Sequence, residues 1–356
     1  LWMSSTSTHR ISTPSRLHFT LIDMNGEIGR IDGSLGLSLQ RPGVVFDFNP
    51  HERTVIRGGD PDDRRVVMSE LQASSRLLHI EPAIEIAIRK MIPRHQGLGS
   101  GTQLRLALLA ALNHRFNLGL SQSELSRIST RGGTSGVGIN AFFQGGLLLD
   151  GGHSVNSQKK SFAPSHYSTG VRQPPLLLRY EFPATWGIVV FTPDNLRGLA
   201  GQQELEFMVA NTPIPIDEVQ AVSHVILMRL LPAILEMDLV AFGSSVNALQ
   251  QIGWKRYHWS RPDVAPLHSV RSAFNDTNSI VGCGLSSTGA TIFGFFDATE
   301  FSDGEVSDAL NSALQEHNAI PGRVLCTRAD NTGMKISATE ASHLQPRRAA
   351  DRTPRP

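Results

Sequence analysis

Residues 84–112 read IEIAIRKMIPRHQGLGSGTQLRLALLAAL, and this stretch decides the predicted fold. Isoleucine stands at every second position over residues 84–89, which is the pattern of a half-buried strand, and Pro93 ends that run. A glycine-rich turn over residues 95–103 follows. The apolar run of good helix formers after the turn predicts a helix that is buried on most sides. The predicted order is strand, glycine loop, helix.

The glycine loop has the composition of an anion site at a helix N-terminus. Amide groups in the first helical turn lack partners and the helix dipole is positive there, while glycine lets a ligand approach the backbone. The hydroxyls of Ser100 and Thr102 are candidate ligands for a phosphate oxygen or for Mg²⁺. A plain helix-capping turn is the alternative, but the repeated glycines favour phosphate or pyrophosphate. The predicted phosphate-binding residues are Gly97, Leu98, Gly99, Ser100, Gly101 and Thr102.

Two familiar phosphate loops are excluded. A Walker loop ends in Gly-Lys-Ser/Thr, whereas residues 101–103 read Gly-Thr-Gln without a lysine. A dinucleotide fingerprint is excluded as well, because no G-x-G-x-x-G opens the helix.

Composition narrows the class of protein. The chain has 356 residues, of which 40% are apolar and 18% charged, as in one large or two ordinary globular domains. A net charge of +1 gives no electrostatic case for a nucleic acid or a membrane partner, and we expect no apolar run long enough to span a bilayer. The N-terminus lacks the apolar core of a secretion signal, and Cys283 and Cys326 form no metal-ligand spacing. The sequence therefore predicts a reduced, cytoplasmic protein.

Mixed strands and helices without regular alternation predict an α+β fold. We expect a disordered N-terminus over residues 1–14, an N-terminal domain over 15–170, a C-terminal domain over 171–340 and a disordered tail over 341–356. The boundary is placed in a polar segment that ends in a Pro-Pro pair, a strong loop signal.

Two further stretches are candidates for the site. Residues 131–138 hold four glycines and predict either a tight packing corner or a second place where backbone meets ligand. Asp150 and His153 follow a short apolar strand, where site residues are common. Turn chemistry alone is the alternative for Asp150, because Asp before Gly-Gly commonly forms a turn.

Several stretches together resemble one family, over roughly residues 14–340. The most specific is GGTSGVG followed by GGLLLDGGHS, within residues 132–154, whereas the GLGS loop alone indicates only the GHMP superfamily. The family is that of the β-ribofuranosylaminobenzene 5'-phosphate synthases of tetrahydromethanopterin biosynthesis. Thr20 and Ala290 depart from its pattern, where glycine and proline are expected. The other similar blocks are residues 14–23, 33–37, 95–103 and 284–291.

The resemblance implies a two-lobed, GHMP-kinase-like α+β fold with a glycine-rich phosphate loop between a strand and a buried helix. The implied reaction joins phosphoribosyl pyrophosphate to 4-hydroxybenzoate or 4-aminobenzoate, and it yields a C-riboside 5'-phosphate, CO₂ and pyrophosphate. Mg²⁺ is the implied cofactor, and a homodimer the implied assembly. An ATP-dependent GHMP kinase for a small molecule and a non-catalytic phosphometabolite-binding protein are the alternatives.

The resemblance also suggests roles for individual residues. A carboxylate, Asp23 or Asp150, would stabilise a cationic anomeric carbon, and a histidine among His18, His95 and His153 would act as the base. Arginines match the phosphate and carboxylate groups of the substrates. The predicted catalytic residues are Asp23, His18, Asp150 and His153; the substrate-binding residues are Arg16, His95, Arg131, Gly133, Thr134, Ser135, Ser286 and Ser287; the metal ligands are Ser100 and Thr102.

Overall fold

The computed structural model describes residues 7–155, 157–168 and 170–339. The strands are β1 (Thr8–Ser12), β2 (Ser15–Asp23), β3 (Arg30–Leu39), β4 (Val45–Pro50), β5 (Val55–Gly58), β6 (Ile84–Lys90), β7 (Leu147–Asp150), β8 (His153–Ser154), β9 (Leu176–Tyr180), β10 (Trp186–Pro193), β11 (Val281–Leu285), β12 (Ile292–Asp297), β13 (Gly322–Thr327) and β14 (Lys335–Thr339). The helices are α1 (Pro61–Leu78), α2 (Ser100–Arg115), α3 (Gln122–Ile128), α4 (Val137–Gln144), α5 (Gln202–Ala210), α6 (Ile216–Val225), α7 (Leu231–Leu235), α8 (Leu239–Leu249), α9 (Gly253–Trp259), α10 (Leu267–Asp276) and α11 (Asp303–Glu316).

The strands form three sheets. The first has the order β14-β1-β4-β6-β5, in which only β5 and β6 run parallel. The second has the order β2-β3-β7-β9, with β8 also paired to β3, and the third has the order β11-β12-β10-β13. Helices α10 and α11 pack on the third sheet. Strands and helices are both abundant without βα alternation, so the predicted α+β class is confirmed.

The predicted strand–loop–helix unit is present. Strand β6 alternates buried and half-buried side chains, as its sequence pattern indicates. Gly99, with a φ of 80°, precedes α2 in the left-handed conformation that glycine favours. Most of α2 between Gln103 and Leu112 is buried, which confirms the prediction of a helix packed on most sides.

The N-terminal prediction is wrong in part. Strand β1 lies inside the segment 1–14 that was expected to be disordered, and it pairs with β4 on one side and β14 on the other. Two sets of ladder hydrogen bonds order this backbone, a contribution that its Ser/Thr-rich composition does not reveal. Residues 1–6 and 340–356 lie outside the described residues, so the prediction for the tail is not tested beyond residue 339.

The predicted division at residue 170 does not separate the sheets. Strand β9 pairs with β7, and β14 pairs with β1, although both follow the predicted boundary. The chain therefore returns twice to the N-terminal sheets, and long-range strand pairing of this kind leaves no local sequence signal.

Aromatic side chains join the two halves into one core. The rings of Phe19 in β2 and Phe293 in β12 stack with centroids 5.1 Å apart, and Phe242 of α8 meets Phe295 of β12 edge-on at 5.0 Å. All four side chains are fully buried. Such a shared core fixes the loops of the C-terminal half against those of the N-terminal half.

The helical run Ile216–Leu235 corrects one expectation. It is long and apolar enough to cross a membrane by length and composition, contrary to the prediction that no such run exists. However, Val222, Ile226 and Leu230 are buried in the main core, so one face of this run packs on the protein. A π-helical segment, Ile226–Leu230, stands before Pro232.

Candidate functional site

The glycine loop lines an open cavity of about 380 Å³, here named the loop chamber. All six predicted phosphate-binding residues, Gly97 to Thr102, contribute to its wall. The first backbone bond of the helical ladder is donated by the amide of Gln103 to the carbonyl of Gly99, so the amides of residues 100–102 precede the ladder. Within the described chain no side chain caps α2 and no acidic residue stands in its first turn. This helix end is therefore electropositive and faces open space.

Two arginines flank the loop. The guanidinium of Arg16 donates to the carbonyl oxygen of Gly97. On the other side, a methyl group built on Gly101 would lie 3.6 Å from Nη2 of Arg131. Burial lowers the pKa of Arg16 to about 10, and the charge of Glu204 partly offsets this effect, so the residue stays cationic at neutral pH. Both predicted anion-binding arginines thus lie at the glycine loop.

The C-terminal half holds the loop in place through Ser286. Its hydroxyl donates to the carbonyl oxygen of Gly97 at 2.6 Å and accepts the backbone amide of His18 at 3.1 Å. Gly97 is required for this close approach, because a Cβ there would lie 2.2 Å from the carbonyl oxygen of Ser286 and its φ is 74°. Ser286 therefore supports the loop without lining the cavity, whereas its neighbour Ser287 lines the cavity itself.

A second cavity of about 220 Å³, here named the aromatic chamber, adjoins the loop chamber. Apolar side chains form part of its wall, and the rings of Phe207 and Trp254 lie 5.2 Å apart between centroids. Leu21 and Met208 complete this apolar part. The residues that line both chambers are Arg16, Thr102, Arg131, Glu204, Ser287 and Thr288. The six shared residues place the two chambers side by side, and together they are named the cleft, with the glycine loop at one end and the apolar side chains at the other.

Glu204 of α5 stands at this junction, and sequence reasoning did not select it. Burial raises the pKa of its carboxyl group to about 7, an effect that Arg16 and Arg261 oppose. Its proton can therefore exchange near neutral pH, a property common among catalytic carboxylates.

Helix α9 supplies a buried basic group that the sequence analysis also missed. Lys255 is 1% exposed, and its ammonium donates to the carbonyl oxygens of Leu285 and Ser287. Burial, with Arg261 and Arg16 nearby, lowers its pKa well below the usual value. One turn later, His258 is buried, and burial together with Lys255 and Arg261 lowers its pKa well below the usual value. The only sequence signal was the mixture of basic and aromatic residues in GWKRYHW.

The predicted catalytic residues fall into two groups. His18 lines the aromatic chamber, and burial, with the charges of Arg16 and Lys255, lowers its pKa. Asp23 lines neither chamber; its carboxylate accepts the amides of Asn25 and Gly26, both at 2.9 Å, and closes the turn after β2.

Asp150 and His153 have buried structural contacts outside both chambers. Asp150 accepts the hydroxyl of Ser34 and the amides of Gly136 and Gly152, while burial raises its pKa to about 6. Nδ1 of His153 lies 2.6 Å from the carboxylate of Asp32. This geometry supports no catalytic role for Asp23, Asp150 or His153, whose predicted roles stay predictions.

The same carboxylate of Asp32 binds the ammonium of Lys159 at 3.0 Å, so the three side chains form a buried triad. Lys159 also donates to the carbonyl of Ala163 at 2.8 Å, next to Pro164 and the chamber wall. The triad thus anchors a segment that borders the aromatic chamber.

The predicted substrate-binding residues are mostly at the cleft. Arg131, Thr134 and Ser135 line the aromatic chamber, and His95 lines the loop chamber. Gly133 is a packing corner, since a Cβ there would lie 2.5 Å from that of Ser168. The glycine-rich stretch 131–138 therefore contains a packing corner, the first of its two predicted alternatives, and its last residues begin α4. That backbone meets ligand here stays a prediction.

A divalent cation fits this cleft only when it binds together with the phosphates of the substrate. No group of three or more His, Cys, Asp or Glu side chains in the described part of the chain could hold a metal ion. The loop chamber does present the hydroxyl residues Ser100 and Thr102 and the carboxylates of Glu70 and Glu204. Mg²⁺ commonly needs just one or two protein ligands when substrate phosphates supply the others. The residues present therefore fit a magnesium diphosphate.

The fold and the loop define the class of protein. Residues 65–146 match the model of the GHMP kinases N terminal domain. A solved homoserine kinase from Cytophaga hutchinsonii superposes with a TM-score of 0.61 at 17% identity, covering 95% of this chain and 99% of its own, which shows the shared fold. The protein thus has the GHMP fold.

Two curated relatives carry the comparison further. The β-ribofuranosylphenol 5'-phosphate synthase of Archaeoglobus fulgidus is 35% identical over 331 residues, covering 92% of this chain and 99% of the relative. That of Methanothermobacter thermautotrophicus is 35% identical over 333 residues, covering 91% and 97% respectively. The chain belongs to the β-ribofuranosylphenol 5'-phosphate synthase family of enzymes, which confirms the resemblance found in its sequence.

Proposed function

We propose that this enzyme transfers the phosphoribosyl group of phosphoribosyl pyrophosphate to 4-hydroxybenzoate with loss of CO₂. The observation that carries the proposal is that the two chambers are adjacent and share six lining residues. One end offers helix amides and two arginines for a diphosphate, and the other offers Phe207 and Trp254 for an aromatic ring. A kinase acting on an aliphatic alcohol has no need of the second feature.

The choice of benzoate follows from the relatives. Their name specifies a ribofuranosylphenol, which is the product expected from 4-hydroxybenzoate, whereas 4-aminobenzoate would give an aminobenzene. We extend this preference to the present chain. The C-riboside product supports a place in tetrahydromethanopterin biosynthesis, as the sequence resemblance implies.

The bond changes balance as follows. The bond between the anomeric carbon and pyrophosphate breaks, and its electron pair leaves with pyrophosphate. The ring carbon that bears the carboxylate attacks the anomeric carbon, with electron density supplied by the para oxygen. The bond to the carboxyl group then breaks, CO₂ departs, and the electron pair of that bond restores the aromatic ring.

Residues of this chain act at each end of the reaction. The amides of residues 100–102 and the guanidinium groups of Arg16 and Arg131 would bind pyrophosphate and stabilise its growing charge. Glu204 borders both chambers, so its carboxylate would face the cationic anomeric carbon. The aromatic ring of the acceptor, packed on Phe207 and Trp254, would exclude water, which otherwise competes with the ring carbon as nucleophile.

Ser100, Thr102, Glu70 and Glu204 are the candidates to hold Mg²⁺ with the diphosphate. When bound, the ion supplies positive charge that favours departure of pyrophosphate.

The decisive experiment is release of labelled CO₂ from carboxyl-labelled 4-hydroxybenzoate in the presence of phosphoribosyl pyrophosphate and Mg²⁺. We expect release with this benzoate and less with 4-aminobenzoate. No release from either by folded protein would overturn the proposal. Thermal stabilisation by ATP–Mg²⁺ but not by phosphoribosyl pyrophosphate–Mg²⁺ would instead favour a kinase, and stabilisation without turnover would favour a binding protein.

We also propose a homodimer in the cytoplasm. Support for self-association comes from exposed apolar side chains between residues 227 and 240, with Leu227 and Met228 each 63% exposed. The other members of this group are Leu235, Met237 and Val240. Light scattering tests the assembly: Leu227→Glu should yield monomers, and a native protein that is monomeric at micromolar concentration would contradict it.

A further inference from the structure

The hydrogen bonds of His258 fix which of its ring nitrogens carries a proton. Nη1 of Arg261 lies 2.9 Å from Nδ1 of His258, and a guanidinium can only donate. Nδ1 must therefore accept, so the neutral ring carries its proton on Nε2. Arg261 is held in turn by the carboxylate of Asp263 at 2.6 Å and by the carbonyl of Thr288 at 2.9 Å. His258 is thus oriented as a hydrogen-bond donor.

Lys255 lies on the same helix and lines the same chamber. In the described part of the chain it forms hydrogen bonds to two carbonyl oxygens but no ion pair with a carboxylate. Among the described residues that line this chamber, Glu204 is the only carboxylate, and it stands against the two guanidinium groups of Arg16 and Arg131. Arg261 does not add to this excess, because its charge is paired with Asp263. Lys255 and His258 contribute hydrogen-bond donors to the same wall. A chamber with an excess of positive charge and of donors favours an anionic ligand.

The position of these groups relative to the reaction is informative. Lys255 and His258 line the aromatic chamber but not the loop chamber. The carboxyl-bearing carbon of the acceptor must meet the anomeric carbon at the junction of the chambers. The para substituent lies on the opposite side of the ring, so it points into the aromatic chamber, whose wall includes Lys255 and His258.

We propose that Lys255 and His258 bind the para oxygen of the acceptor as a phenolate, with Arg261 as the positioning residue for His258; this inference rests on the proposed function. The phenol proton passes to solvent as the acceptor binds. The phenolate then supplies the electron density that makes the opposite ring carbon nucleophilic.

The inference also explains selectivity for the acceptor. A phenol has a pKa of about 10, within reach of stabilisation by nearby positive charge. The amino group of 4-aminobenzoate does not form an anion under such conditions, and it cannot accept two strong hydrogen bonds as an oxyanion does. Lys255 and His258 are therefore specificity determinants for a hydroxyl group in the para position.

The test uses 4-hydroxybenzoate alone, without phosphoribosyl pyrophosphate, so that no turnover occurs. Ultraviolet difference spectra at pH 7 should show the red-shifted phenolate band on binding to the native enzyme, with release of about one proton per site in weak buffer. 4-Methoxybenzoate, which cannot ionise, should show neither effect.

The variants are Lys255→Met and His258→Asn, which keep most of the buried volume. Each should lose the phenolate band and reduce the preference for 4-hydroxybenzoate over 4-aminobenzoate by roughly tenfold, the worth of a hydrogen bond to a charged group. This ratio does not depend on the fraction of folded protein. Arg261→Lys should weaken the band, because lysine cannot reproduce the fork that binds both His258 and Asp263.

Bound 4-hydroxybenzoate with the spectrum of a neutral phenol would overturn the inference, as would equal loss of affinity for both benzoates in the variants. In the second case the basic residues bind the carboxylate or the ribose phosphate instead. CO₂ release with a neutral bound phenol would contradict this inference but leave the proposed function intact. A phenolate band without CO₂ release would contradict the proposed function but leave phenolate binding intact.

Discussion

The hydroxyl of Ser286 donates to the carbonyl oxygen of Gly97 at 2.6 Å, which joins the β11–β12 loop of one half of the molecule to the glycine loop of the other. The same hydroxyl accepts the amide of His18, so one side chain satisfies two buried backbone groups. A substitution at this position therefore affects the glycine loop without entering either chamber.

Ser286→Ala should lower the free energy of unfolding by about 1–3 kcal/mol, because it leaves two buried backbone groups without their partner. Urea denaturation measures this change. Ser312→Ala, at an exposed position of α11, is the matched control and should change stability little. A stable Ser286→Ala variant would mean that water replaces the hydroxyl.

Substitutions at two glycines of the loop should distinguish effects on stability from effects on phosphate binding. Gly97→Ala should lower the free energy of unfolding by about 1–3 kcal/mol, because a positive φ is unfavourable for alanine and its Cβ would clash with the carbonyl of Ser286. Gly101 lies in the helix without a positive φ, and a Cβ there would make only ordinary van der Waals contact with Arg131. Gly101→Ala should therefore raise the free energy of unfolding by about 0.5–1 kcal/mol. If phosphate approaches the backbone there, the second variant should nevertheless bind magnesium pyrophosphate more weakly in calorimetry. Unchanged affinity would remove Gly101 from the phosphate site.

Arg131→Lys should weaken binding of magnesium pyrophosphate roughly tenfold, because a guanidinium fork grips phosphate more tightly than an ammonium group. Isothermal titration calorimetry provides the measurement. Arg127→Lys, on the exposed face of α3, is the control for the same chemical change and should bind normally. Equal affinities for the two variants would argue against the position assigned to the diphosphate.

Glu204→Gln should change the pH dependence of stability. Burial raises the pKa of Glu204 to about 7, from 4.5, so the folded state binds the proton more tightly than the unfolded state. Its contribution to stability is full below pH 4.5 and is lost as the pH rises through 7. The free energy of unfolding of the variant should therefore equal that of the native protein at pH 4.5 and exceed it by about 1–3 kcal/mol at pH 8. Equal melting temperatures at pH 8 would show that the carboxylate is solvated.

Asp32→Asn should lower the free energy of unfolding by about 3–5 kcal/mol, because it leaves the buried ammonium of Lys159 without its charged partner. Asparagine tolerates the positive φ of 68° at this position, so the change isolates the charge. Asp308→Asn, on the exposed surface of α11, provides a control. Turnover per folded molecule should persist in Asp32→Asn; its selective loss at unchanged stability would restore a catalytic role to His153.

Sequence reasoning predicted the features that local patterns encode. The alternation in β6, the glycine turn and the apolar run of α2 lie within thirty consecutive residues, and each has a physical signature of its own. Arg16 and Arg131 were selected because a guanidinium group matches the phosphate and carboxylate groups of the substrates, and both reach the loop.

The missed residues depend on contacts between distant parts of the chain. Glu204 and Lys255 acquire their shifted pKa values from burial, which no local pattern reports. Conversely, Asp150 and His153 stand in a glycine-rich motif, yet the fold directs both side chains into buried hydrogen bonds away from the cleft. The motif identified the family correctly because it encodes a packing corner of that fold.

The register of the first sheet sets Thr8 directly opposite Thr339, and the hydroxyl of Thr339 donates to the carbonyl of Thr8 at 3.0 Å. Both positions are thus neighbours in space although 331 residues separate them. A short flexible peptide can therefore bridge them, and new ends can be opened in an exposed turn on the opposite half. This GHMP protein is accordingly suited to circular permutation, and to fusions that place two partners side by side.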